Sequence, residues 1–104
     1  MKKSRRVYLG FDLGASSGRA VLGTLENRRL QIEEISRFPN APGRLGDRLY
    51  WNVLSLWGRV VDAMRLCAQQ RHETLSGIGV DTWGVDFGLL GPDDALLGNP
   101  LCYR

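Results

Sequence analysis

The feature that most limits how this chain can fold is Asp12-Leu13-Gly14-Ala15-Ser16-Ser17-Gly18-Arg19, set between the apolar runs Val7-Tyr8-Leu9-Gly10-Phe11 and Ala20-Val21-Leu22-Gly23. A Gly/Ser cluster between two strand-like runs marks a tight reversal. The pattern therefore predicts a strand over residues 7–12, a turn, and a second strand over 18–25. The turn has an acid at its entry, two hydroxyls and small residues in the middle, and an arginine at its exit. Small residues let the backbone approach a ligand, and successive N–H groups can face an anion. It reads as a cradle for phosphate. It is not a Walker A loop, because GxxxxGK[ST] is missing, and it is not a GxGxxG loop opening a helix, because the residues after Arg19 read as strand.

The remaining chain supplies supports for this turn. Asn27-Arg28 marks a reversal, and the amphipathic run Leu30 to Phe38 reads as a third strand with one irregular step at Glu33-Glu34. Three strands with short connections predict an antiparallel meander. Residues 39–48 are rich in proline, glycine and charge and read as a loop, either a surface excursion or a substrate lid. Asn52 suits a helix N-cap. After it Val53, Leu56, Trp57, Val60, Val61, Met64, Cys67 and Ala68 recur at three- and four-residue spacing, with Arg59, Asp62, Arg65 and Gln69 on the other side. That periodicity predicts an amphipathic helix of about four to five turns whose apolar stripe is core. The single histidine, His72, falls at the helix end among charged neighbours and reads as a solvated terminus. Leu75 to Asp81 is short, apolar and glycine-punctuated, as expected of a buried strand lying parallel to an earlier one after a crossover helix. Phe87 to Leu90, the turn Gly91-Pro92-Asp93-Asp94, and residues 95–101 predict a β-hairpin arm. The fold class expected is α/β.

Composition narrows the function classes. With 104 residues, 43% hydrophobic and 24% charged, the chain is one small domain or a piece of a larger one, with the composition of a globular rather than a disordered protein. The pI near 9.2 invites a nucleic-acid reading. Yet Lys2, Lys3, Arg5 and Arg6 supply four of the 14 basic residues, and the ten beyond them face 11 acidic ones. Residues 1–6 read as a solvated basic tail, and no nucleic-acid partner is expected. Cys67 and Cys102 form no CxxC pair and read as buried or half-buried thiols. No signal peptide and no run near the roughly 20 apolar residues of a membrane span is visible, so a cytoplasmic setting without membrane contact is expected.

Two further features carry chemistry. Asp12 and Asp81 each end a predicted strand. If those strands are adjacent and parallel, both carboxylates emerge at one sheet edge, where α/β proteins bind ligands. Carboxylates beside a phosphate turn suit Mg²⁺, which prefers oxygen ligands and keeps most of its waters. The alternative is that each acid caps the turn after its strand. In Thr82-Trp83-Gly84-Val85-Asp86, Trp83 offers a flat face for a sugar ring, Gly84 permits close backbone approach, and Asp86 can accept hydrogen bonds from hydroxyls. The competing reading is a tight turn with Trp83 in the core and Asp86 stabilising the bend.

The two stretches together resemble the N-terminal part of the FGGY carbohydrate kinases of the actin-like ATPase superfamily. Asp12 to Arg19 is similar to that family's first phosphate motif, and Ile78 to Phe87 to its sugar-site segment. Arg37-Phe38-Pro39-Asn40, Tyr50-Trp51-Asn52 and Tyr103-Arg104 fall at matching places. The resemblance implies a partial ribonuclease H-like lobe, with Ala15, Ser16, Ser17, Gly18 and Arg19 on ATP phosphates and Asp12 on Mg²⁺ through water. It further implies that Gly84, Trp83 and Asp86 form the sugar side. Within the family the likeness is to the branch that phosphorylates the 1-hydroxyl of L-rhamnulose. Ala15, where sister kinases usually carry threonine, argues against glycerol or xylulose. Loop 41–49 and Asn52, where an acid is common, depart from the pattern. The catalytic aspartate, the adenosine site and half of the sugar site would lie in a second lobe outside these 104 residues, so the isolated chain is expected to be inactive and to self-associate. The alternatives are a kinase for another ketose such as L-fuculose, and a non-catalytic nucleotide-binding remnant.

Overall fold

A computed structural model describes residues 4–103; Lys2 and Lys3 of the basic leader, and Arg104 of the closing Tyr-Arg pair, lie outside them. The described chain runs β1 (Arg5–Leu13), β2 (Ser17–Glu26), β3 (Arg29–Pro39), β4 (Gly43–Leu45), β5 (Arg48–Tyr50), α1 (Val53–Arg65) and β6 (Gly77–Thr82). The main sheet has the order β3-β2-β1-β6, and β4 and β5 form a separate two-stranded ribbon. The expected meander is present: β1 pairs antiparallel with β2, and β2 with β3. Strand β6 then returns parallel to β1, with Asp81 in register beside Asp12.

Strand β1 begins two residues earlier than expected. Arg5 and Arg6 are strand residues opposite Glu26 and Leu25, and Arg5 reaches Glu73 at 3.4 Å. The basic tail therefore loses two of its members to the sheet. Alternation along β1 sends Val7, Leu9 and Phe11 to one face, where they meet Ala20 and Leu22 from β2 and Ala63 and Cys67 from the helical segment. This face is the core, and Leu9 and Cys67 are its fully buried large side chains.

Helix α1 starts as its sequence predicts. The Asn52 side chain accepts a hydrogen bond from the Ser55 amide at 3.0 Å, satisfying one of the orphan donors of a helix start. The helix continues as a π turn over Leu66–Gln70 and stops at exposed His72, whose φ of 53° cannot extend it. The stripe that meets the sheet is narrower than the periodicity predicts. Val60, Ala63, Met64 and Cys67 pack inward, whereas Trp57 is 60% exposed. Trp57 therefore falls outside the packed part of the stripe.

The irregularity in β3 is a bulge. Ala20 pairs with Ser36, but Val21 pairs with Glu34, so Ile35 is the additional residue. It sits one to two positions after the expected step. The β2–β3 hairpin turns on Asn27 and Arg28, both at positive φ (54° and 62°), the combination that matches the twist of paired strands. Residues 39–48 are not a plain loop: β4 and β5 form a hairpin closed by Gly46-Asp47, with Gly46 at φ +65°. The arm expected over 87–101 does turn back at residues 91–95. Its ladder is reduced to the single bridge Leu90–Leu96, flanked by Gly91 N–H to Ala95 O at 2.7 Å and Leu97 N–H to Leu89 O at 2.9 Å.

The packing has two measurable consequences. Gly18 faces Phe38 across the β2–β3 pair, and a Cβ there would stand 2.3 Å from the Phe38 ring. That ring is buried, with the Arg59 guanidinium 5.8 Å from its centroid. Gly18→Ala should therefore cost about 1–3 kcal/mol, read as a lower urea midpoint with unchanged slope. Burial pushes the Cys67 thiol above its ordinary 9.0, with Glu73 adding to the rise and Arg71 opposing it. A raised folded-state pKa means that stability is full below the unfolded thiol pKa and falls as pH rises through the folded one. Denaturation series should show a loss above about pH 9 that Cys67→Ala abolishes.

Candidate functional site

The Gly/Ser turn is built by backbone geometry and pinned from outside. Gly14 N–H donates to Ser17 O at 2.9 Å, closing a four-residue loop between Leu13 and its partner Gly18. A Cβ on Gly14 would lie 2.8 Å from the Ser17 carbonyl, so the tight closure requires glycine. Asn40, the buried polar residue at the end of β3, grips the loop twice. Its Nδ2 donates to Gly14 O at 2.8 Å, and its backbone N–H donates to Ser16 O at 3.0 Å. With the carbonyls of Gly14 and Ser16 thus occupied, the N–H groups of Ala15 and Ser16 donate to no group among the described residues. An anion is the partner such donors suit.

Beyond the turn, Asp12 and Arg19 face each other on paired strands and form an ion pair. Both side chains are about half exposed, so the pair remains accessible. Asp81, in register with Asp12, accepts a hydrogen bond from the Thr82 N–H at 3.1 Å.

The segment after β6 is organised by one carboxylate. Asp86 Oδ2 accepts hydrogen bonds from the indole N–H of Trp51 at 2.7 Å and of Trp83 at 2.8 Å, and Oδ1 accepts from the Tyr103 N–H at 2.8 Å. The two indoles lie 4.5 Å apart, tilted by 52°. The Asp86 oxygens are thus committed to protein donors. These bonds brace the bend, and Asp86 also lines a cavity with Trp83 and Gly84. Trp83 is half-buried rather than core, and Trp51 is the buried member of the pair. Val85 has φ 71°, a region a β-branched side chain enters only when its surroundings impose it. The last described residues are fastened to β5 by Trp51 N–H to Pro100 O at 2.8 Å and Cys102 N–H to Leu49 O at 2.9 Å.

A cavity of about 390 Å³ joins the two halves: Ala15 and Ser16 line it together with Trp51, Trp83, Gly84 and Asp86. Ser17, Gly18, Arg19 and Asp12 stand outside this lining, along the strands that lead from the turn. A larger cavity of about 780 Å³ lies between the β4–β5 hairpin and the arm, and it touches no residue of the Gly/Ser turn. Asn40 and Trp51 fall in stretches that match the family pattern, yet the sequence alone assigns neither a role. Nothing local distinguishes a loop asparagine or an aromatic before a helix from its neighbours. Their partners, Gly14 and Asp86, are 26 and 35 residues away.

No family model matches the chain. Curated relatives do. The chain is 45% identical over 97 residues to a rhamnulokinase of Bacteroides thetaiotaomicron, covering 93% of the chain and 20% of the relative. It is 38% identical over 108 residues to a rhamnulokinase of Enterococcus faecalis, covering 100% and 22%. A rhamnulokinase of Oceanobacillus iheyensis is 35% identical over 96 residues, with 92% and 20% covered. The sequence resemblance to rhamnulokinases thus extends along the chain, which spans about a fifth of the length of these relatives. Among solved structures, a gluconate kinase from Lactobacillus acidophilus superposes with a TM-score of 0.71 at 16% identity, over 94% of this chain and 20% of that one. A xyloylose kinase from Brucella ovis gives 0.62 at 20% identity, over 92% and 20%. The fold of this chain is thus that of about a fifth of each of these two structures.

Removing the Asn40 amide leaves the partly buried Gly14 carbonyl without its protein donor, so Asn40→Ala should cost about 1 kcal/mol and speed amide hydrogen exchange selectively in residues 14–18. Asp86→Ala should red-shift and broaden tryptophan emission, because both indole N–H groups lose their acceptor. Unchanged emission would remove Asp86 from its organising role.

Proposed function

We propose that these residues form the phosphate and sugar side of an ATP-dependent carbohydrate kinase acting on L-rhamnulose. The observation that carries the reading is the cavity shared by Ala15 and Ser16 with Trp83, Gly84 and Asp86. It brings an anion-type turn within reach of a sugar-type platform, as phosphoryl transfer between the two requires. In this reading Ala15, Ser16, Ser17, Gly18 and Arg19 hold the ATP phosphates through N–H groups, hydroxyls and one guanidinium. Trp83 presents its face to the sugar ring and Gly84 allows close approach. Nothing lies within 4 Å of where a Gly84 Cβ would stand, so that space is left for the ligand. Asp86 acts by holding both indoles in place.

Asp12 is the residue that would hold Mg²⁺, through water. The donors present fit that ion better than a caged metal. No cluster of three or more His, Cys, Asp or Glu side chains suited to a metal occurs among the described residues, and Mg²⁺ typically takes one or two carboxylates with phosphate oxygens and waters. When bound, the ion neutralises charge on the transferring phosphoryl group. The proton of the sugar's 1-hydroxyl passes, in this reading, to an aspartate of a second lobe outside the 104 residues. Asp81 and Asp86 are already engaged by protein donors, which argues against either as that base. The name shared by the curated relatives supports L-rhamnulose, with L-fuculose as the competing ketose.

The test is a titration of tryptophan emission. L-rhamnulose should change it, L-fuculose should do so only at higher concentration, and Gly84→Ala should remain folded while losing the response. A stronger response to L-fuculose would change the substrate, and no response to either sugar or to Mg·ATP would remove the kinase reading. Phosphoryl transfer by the 104-residue chain alone should be undetectable. Ile78 and Val80 of edge strand β6 are 52% and 61% exposed, so sedimentation should show concentration-dependent self-association. A clean monomer at high concentration would count against it.

A further inference from the structure

Arg19 is held on more than one side. Its Nη2 pairs with Asp12, and its Nη1 lies 4.0 Å from Glu34 Oε1. Glu34 is itself gripped by Arg37, which donates from Nη2 to Oε1 at 2.7 Å and from Nε to Oε2 at 3.3 Å. Asp12, Arg19, Glu34 and Arg37 thus form a chain of alternating charge running across β1, β2 and β3.

The bulge at Ile35 is what puts Glu34 there. Ala20 and Leu22 face the helix, and Arg19 and Val21 face the other way. Without the additional residue, Glu34 would pair with Leu22 and point toward the helix. With it, Glu34 pairs with Val21 and joins Arg19, while Glu33 pairs with Leu22 and meets Arg71 at 2.6 Å on the helix side. Two adjacent acids serve opposite faces, which an unbroken β-strand also does, but the bulge decides which acid serves which. The hydrogen bond from Arg37, with the positive charges of Arg37 and Arg19, outweighs partial desolvation and holds the Glu34 carboxyl below its ordinary range. It is therefore an anion at neutral pH.

We propose that Glu34, braced by Arg37, is a positioning residue that keeps the Arg19 guanidinium aligned beside the phosphate turn when a bound metal draws the Asp12 carboxylate away. The proposal rests on the reading of residues 15–19 as a phosphate site. An arginine released by its only carboxylate regains side-chain freedom that phosphate binding must then remove. A second carboxylate beside the other terminal nitrogen, Nη1, limits that freedom after Asp12 has left Nη2.

The test uses ¹H–¹⁵N spectra of the 104-residue chain titrated with Mg·tripolyphosphate. In the wild type the amides of residues 14–19 and the Arg19 Nε–Hε signal should shift on titration. Glu34→Gln should weaken binding by about three- to tenfold, and Glu34→Asp, which keeps the charge, should bind more tightly than Glu34→Gln. In an Arg19→Ala background, Glu34→Gln should have no further effect, because its action passes through Arg19. Before ligand is added, the Arg19 Nε–Hε signal of Glu34→Gln should already be displaced and more mobile, a change that an ordinary surface ion pair away from Arg19 would not cause. Unchanged or tighter binding in Glu34→Gln, or the same fold-loss with and without Arg19, overturns the proposal. A wild-type chain whose residues 14–19 ignore the ligand overturns the phosphate reading itself, and this inference with it.

Discussion

The structure depends on β1 being paired along both of its edges. An antiparallel neighbour needs only a short turn, and a parallel neighbour needs a crossover long enough to bring the chain back to the starting end of the sheet. Strand β2 is the first kind and β6 the second, so the helical segment between β5 and β6 is a geometric requirement as well as a source of core. The same arrangement makes the Gly/Ser turn and the tryptophan segment leave the sheet from one end. Their proximity follows from strand order, before any side chain is considered.

Side chains then fix what strand order has only made neighbouring. Asp86 gathers two indoles and the backbone of Tyr103, while Asn40 ties the end of β3 to the Gly/Ser turn. Each is a single polar group satisfied by partners distant in sequence. Buried or half-buried, such a group specifies one arrangement because any other leaves donors or acceptors unpaired. The two halves of the site are thereby held by separate fastenings, and only the cavity between them is shared.

Much of the fold is legible in the sequence because punctuation and period agree there. Glycine, serine and asparagine mark the first two turns, alternation marks β1, and the Asn52 cap announces α1. The hairpin over 43–50 escapes because its strands are three residues long and mostly exposed, with no alternation to read. Trp57 is misplaced because helical spacing shows which residues share a stripe, without showing how wide a stripe the sheet can cover. The irregular step near Glu33-Glu34 is visible as a break in pattern. Which acid ends on which face depends on pairing with β2, and register is a property of two strands together. The candidate site shows the same division. Residues 12–19 and 82–86 are local and readable, whereas Asn40 and Trp51 act through long-range bonds.

The bulge lies within β3 and Asn40 directly follows that strand, and this sets the size of the smallest transplantable unit. The eight residues from Asp12 to Arg19, grafted onto another hairpin, would arrive without the amide that shapes their loop and without the acid that flanks their arginine. A protein engineer would need to move β1, β2 and β3 through Asn40 as one piece, with Ile35 retained as the additional residue. Such a turn is a three-strand module that happens to display a short motif.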